Sequence, residues 1–152
     1  GGGRILGEAC HFIDLIPFLI GASIKNYNSI SLNQDSNSPP ISDNVSINLA
    51  LSDGSIGTIH YLANGAKSFP KERIEIFWDG SILVIDNFKS LKGYNWDGFS
   101  KMKTFKQNKG NQACLKAFSE SILFGKESPI SSEEIFTSSR MAIDIAENLS
   151  SN

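Results

Sequence analysis

His11 and Asp14 are the residues whose types and spacing are best suited to chemistry. On a helix, the three-, four- and seven-residue steps from His11 gather Asp14, Leu15 and Phe18 on one face. A carboxylate within reach of an imidazole holds it in one tautomer and raises its basicity, which suits a histidine that moves protons at neutral pH. The pair is the candidate catalytic set. The same spacing also fits a histidine packed and hydrogen-bonded in a core, with no chemistry attached. A second polar candidate is Lys71, in a loop with a turn glycine at Gly65 and a neighbouring lysine at Lys67. Such a lysine donates hydrogen bonds and charge beside a polyol or phosphate, although a solvated loop lysine is the commoner case.

Composition narrows the chemistry. The chain has 152 residues and a formal net charge of -2, so it offers no general attraction for polyanions, and nucleic acid is not an expected partner. The longest apolar run, residues 15–24, is broken by Pro17, Gly21 and Ser23, too short to span a bilayer, and no signal peptide is visible. No membrane association is expected. The two cysteines, Cys10 and Cys114, form no disulfide framework, and with His11 and His60 they lack metal-ligand spacing. A reduced, cytoplasmic protein without a metal site is the expectation.

The elements that must hold the candidate residues follow from periodicity. The opening helix contains Pro17, which predicts a kink or a tighter turn, and ends at Gly21. Residues 25–44 read as a short strand near Ile30 and an exposed loop, a solvated connector or a cover for substrate. Val45, Ile47, Leu49 and Leu51 then alternate with polar residues, the period of a half-buried strand. Asp53-Gly54 reads as a two-residue hairpin loop, which sets Leu51 opposite Ile56 and Ile47 opposite His60, on the apolar face. A second Asp-Gly, at Asp79-Gly80, pairs Ile74 with Ile85 and Ile76 with Leu83, with Arg73 opposite Asp86 as a cross-strand ion pair. Alternating lysines over residues 101–106 mark a sheet edge. Leu115, Phe118 and Ile122 have helical spacing before Gly125. The last helix opens on the capping box Ser131-Ser-Glu-Glu134, with Ile135, Ser139, Ala142, Ala146 and Leu149 as its expected core face.

This order gives an α+β fold class: a mostly antiparallel open sheet with helices packed on one face, in a single domain over residues 1–152. Phe77, Ile82 and Val84 fall on the sheet face opposite Ile74, Ile76 and Leu83, and that open face must be solvated or covered by another chain.

The opening stretch resembles the start of the C-terminal domain of the Gfo/Idh/MocA oxidoreductases, in which a glycine-rich turn leads to a helix reading His-x-x-Asp; residues 1–3, His11 and Asp14 match. Residues 3–14 are similar to a narrower subset, found in bi-domain oxidoreductases, with one conservative change at Leu6. Residues 69–77, Gly80, residues 85–88 and Lys109-Gly110 continue the likeness. Two positions depart from it. Many members carry an Asp four residues before the His, where this chain has Gly7 with Glu8 beside it, and the His after Lys-Gly is Asn111.

The resemblance implies an NAD(P)-dependent enzyme acting on a sugar, sugar derivative or polyol, with His11 and Asp14 catalytic and Arg4, Glu8 and Lys71 substrate-binding. It implies NAD or NADP held mainly by an N-terminal Rossmann domain outside this chain, no cofactor-binding residue in the chain itself, and a homo-oligomer formed through the open sheet face. On that reading the chain is one domain of a longer protein and is inactive alone. A non-catalytic scaffold or binding module that keeps the fold is the alternative implied by Gly7.

Overall fold

The computed structural model describes residues 3–32 and 43–151. Gly1, Gly2 and most of the polar loop expected before residue 44 lie outside the described residues. The chain divides into two compact units, one drawn from residues 1–65 and 130–152 and the other from residues 66–129. The α+β class holds, with every strand pairing antiparallel, and the strands group in a three-stranded and a four-stranded sheet.

The first unit begins with a π-helical turn, Ile5–Ala9, that runs straight into α1 (Cys10–Ile20). Helix α1 continues through Pro17 and stops at Gly21, whose φ of 76° closes the helix with a bond from its amide to the Pro17 carbonyl. Three strands follow, β1 (Ile24–Ser31), β2 (Asn44–Leu51) and β3 (Ile56–Leu62), in the spatial order β1-β2-β3. The period-two pattern of β2 works as expected, since Val45, Ile47, Leu49 and Leu51 are all buried. They meet Ile13 of α1 and Ile145 of α3 (Ser132–Ser151) in one core.

The β2–β3 connection corrects the two-residue loop. Leu51 and Ser55 are the closing pair, with the Leu51 amide donating to the Ser55 carbonyl, so the loop is Ser52, Asp53 and Gly54. Gly54 takes φ 91° as the left-handed third residue, and Asp53 accepts bonds from the Ser55 amide and hydroxyl at 3.0 and 2.9 Å. One extra loop residue slips the register by one and turns every β3 side chain to the other face. Ile47 therefore faces Ile59, and His60 stands on the exposed face opposite Ser46, whose hydroxyl lies 2.8 Å from His60 Nδ1.

Gly57, directed inward by this register, lets α1 sit close on β3. A Cβ there would lie 2.6 Å from Cγ2 of Ile16. Helix α3 starts at the expected capping box: the Glu134 amide donates to the Ser131 hydroxyl at 3.1 Å, and the Ser131 amide donates to the Glu134 carboxylate at 2.8 Å. Its core face is Ala142, Ile145 and Leu149, flanked by Met141 and Ala146. Ile135 and Ser139, expected on that face, are exposed, because the stripe passes through Ser138 and Met141 instead.

In the second unit, β4 (Arg73–Trp78), β5 (Ser81–Asp86), β6 (Ser90–Tyr94) and β7 (Lys101–Lys103) form a meander in sequential order. The Asp79-Gly80 hairpin has both central residues at positive φ, and its register is the expected one, down to Arg73 opposite Asp86. The ion pair differs: Arg73 bonds to Glu75, two residues along the same face, at 2.5 Å. The lysine-bearing β7 is an edge, as its composition implied. The β5–β6 turn places Asn87 and Phe88 at φ 50° and 49°, a conformation that costs a bulky residue such as Phe88 about 1–3 kcal/mol. Helix α2 (Asn111–Leu123) follows Gly110, whose φ is 79°.

Candidate functional site

The site is built on the solvent side of α1. Its buried side, Ala9 and Ile13, is fixed by the β2 core, and this leaves His11, Asp14 and Phe18 exposed on the opposite side. His11 is thus not the packed core histidine that its spacing also allowed. Its ring is open to a partner or substrate, two residues beyond a π-helical segment. Single π turns inside helices are frequent at functional sites, because the extra residue per turn re-aims the side chains that follow. The one local sign of this turn is Gly7, which weakens the regular helix there.

Asp14 is held by a residue the sequence reading did not single out. Ser138 of α3 donates its hydroxyl to Asp14 Oδ1 at 2.6 Å. Among the described residues no hydrogen bond or ion pair joins Asp14 to His11. The carboxylate is oriented from α3, on an exposed residue three positions from His11. The signal for Ser138 was available only as a polar residue in line with Ala142, Ile145 and Leu149 on the core side of α3.

Arg4 and Glu8 lie one turn apart and pair with each other at 3.8 Å, both about half exposed. The pair is solvent-screened and adds little stability, so both charges are free to exchange partners. Lys71 belongs to the second unit, where it lines an open cavity with Lys67, Phe69, Glu72, Asn87 and Lys109. Among the described residues there is no group of histidine, cysteine and carboxylate side chains able to hold a metal ion. No described helix is long and apolar enough to cross a membrane.

The described residues do not form the Rossmann type of dinucleotide cradle. The glycine-rich phosphate cradle belongs between a strand and a helix crossing to a parallel neighbour, and here every strand pair is antiparallel.

Known structures share this architecture. UDP-N-acetylglucosamine 3-dehydrogenase GnnA from Acidithiobacillus ferrooxidans superposes with a TM-score of 0.75 at 15% identity, over 93% of this chain and 45% of its own. Dehydrogenase MviM from Clostridium difficile gives 0.74 at 18%, over 97% and 50%. Aldose-aldose oxidoreductase from Caulobacter crescentus, complexed with glycerol, gives 0.71 at 15%, over 91% and 44%. The chain has the fold of a dehydrogenase C-terminal domain. These neighbours are of the Gfo/Idh/MocA type, so the fold expected from the resemblance is the fold observed. The chain spans about half the length of each. No protein-family model matches the sequence, and no curated protein matches it.

Proposed function

We propose that this chain is the substrate-binding and oligomerisation part of an NAD(P)-dependent oxidoreductase acting on a sugar, sugar derivative or polyol, and that His11 is its proton-transfer group. The observation that carries the proposal is the exposed His11 beyond a π-helical turn, in a fold shared with dehydrogenases. Oxidising a carbinol requires removing its hydroxyl proton as hydride leaves carbon; an imidazole open to solvent is suited to that transfer. Asp14, fixed through Ser138, supplies negative charge on the same exposed side of the helix. Arg4 and Glu8 offer hydrogen bonds to sugar hydroxyls once they leave each other. The nicotinamide belongs to another part of the enzyme, NAD and NADP serving this reading equally.

Self-association through the sheet face of Phe77, Ile82 and Val84 completes the proposal, supported by the 69% exposure of Phe77.

The test is turnover of the full-length enzyme with His11→Ala. A fall of roughly 10²- to 10⁴-fold with the fold intact is expected, the usual cost of losing a general acid-base. The second reading, a non-catalytic scaffold, is favoured by Gly7, which stands where an acid four residues before His11 would be. It requires the wild-type protein to lack turnover altogether.

A further inference from the structure

The cavity in the second unit carries more charge than a structural role uses. Its volume is 420 Å³, and it is lined by Lys67, Lys71 and Lys109 against one carboxylate, Glu72. That is the size of a small-molecule site. Glu72 is spoken for: it is the ion-pair partner of Lys109, with a side chain only 13% exposed, and it accepts a second bond from Gln107 at 3.4 Å. Gln107 in turn donates to both the backbone and side-chain oxygens of Asn87 at 3.1 Å. The Asn87 amide closes the ring on the Glu72 carbonyl at 2.6 Å. This network fixes one wall, with the left-handed Asn87-Phe88 turn held between Gln107 and the Lys109 ammonium above the Phe88 ring.

Lys67 and Lys71 remain. Among the described residues neither has an ion-pair or hydrogen-bond partner, although both line the same concavity in a chain whose net charge is negative. Two ammonium groups without a carboxylate partner leave this side of the cavity positively charged. Phe69, between them in sequence and 71% exposed, adds an apolar surface at the rim. A bound oxyanion would gain charge-assisted hydrogen bonds from the two ammonium groups, while the remaining ligand atoms met Phe69 and the side-chain amide of Asn87.

We infer that this cavity binds the oxyanion of a small sugar-sized ligand, the phosphate of a sugar phosphate or the carboxylate of a sugar acid, through Lys67 and Lys71. The inference concerns binding alone and does not depend on the role of His11.

The test is a nuclear magnetic resonance titration of the isotope-labelled chain at fixed ionic strength with inorganic phosphate, glucose 6-phosphate, glucuronate and glucose. Saturable shifts centred on Lys67, Lys71, Asn87 and Lys109 are expected with glucose 6-phosphate or glucuronate, and the tighter of the two identifies the oxyanion. Glucose should leave these signals in place. Lys67→Gln with Lys71→Gln should weaken binding by about tenfold or more, the scale of losing a hydrogen bond to a charged group. Lys101→Gln, on the β7 edge, should not. The dispersed spectrum of the double variant reports that it is folded. Absence of saturable shifts with either anion, equal binding by glucose, or unchanged affinity in the double variant would overturn the inference.

Discussion

The Ser138 hydroxyl on α3 donates to Asp14 Oδ1 on α1 across 2.6 Å, tying the two helices together three residues from His11. Removing that donor separates the structural part of Asp14 from its electrostatic part. Ser138→Ala should lower stability by about 1 kcal/mol, the usual net value of one hydrogen bond, read as a fall in the thermal midpoint. Asp14→Asn keeps an acceptor for Ser138 and loses the charge. It should therefore cost less stability than Ser138→Ala, while lowering turnover of the full-length enzyme more.

For His11 the expectation runs the other way. The ring is exposed, so His11→Ala removes little packing and should leave the melting temperature nearly unchanged while turnover of the full-length enzyme falls by roughly 10²- to 10⁴-fold. A large loss of stability with normal turnover of the folded fraction would remove His11 from the mechanism.

Gly57 is fixed by contact rather than by backbone angle. Its missing Cβ leaves room for Ile16, and Cγ2 of that residue is on a branched carbon that cannot swing aside alone. Gly57→Ala should destabilise the first unit by about 1–3 kcal/mol, as overpacking does, measured by urea denaturation. Gly65→Ala, whose nearest neighbour is a carbonyl at 3.7 Å, should be nearly silent by comparison.

The α3 capping box gives stability a pH dependence. The Ser131 amide and then its hydroxyl hold the Glu134 carboxyl below the ordinary glutamate value of 4.5. Because the folded value is the lower one, the stabilisation is complete above the unfolded value and disappears as pH falls through the folded value. Ser131→Ala should reduce the melting temperature at pH 7, and the gap between variant and wild type should narrow in part below about pH 4, where the Glu134 carboxyl gives up the bond from the Ser131 hydroxyl while its amide still donates to that hydroxyl.

Association is the last expectation. Val84→Lys puts a charge on the sheet face shared with Phe77 and Ile82 and should shift the protein toward monomer in sedimentation velocity. A wild-type protein that is monomeric at all concentrations would end the interface proposal.

Local chemistry alone decided several features of this protein. The Asp79-Gly80 hairpin and its whole register, the buried alternation of β2, the lysine edge at β7 and the Ser131–Glu134 box each depend on residues adjacent in sequence, and each formed as their types require. The His11 helix and its place in the fold were legible too, from the spacing of His11 and Asp14 and from the likeness of the opening stretch. Tertiary structure decided what local rules leave degenerate. Asp53-Gly54 suits a two-residue or a three-residue loop. The buried stripes of β2 and β3 chose three, which brought Gly57 and Ile59 inward and turned His60 out to Ser46. Arg73 had two carboxylates on its face, Asp86 across the pair and Glu75 along its own strand, and Glu75 took it. Whether His11 was core or open, and which residue would hold Asp14, depended on how α1 and α3 rotate against one sheet. The side chains that set those rotations, Ile13 and Ile145, stand near opposite ends of the sequence and meet only once the chain has folded.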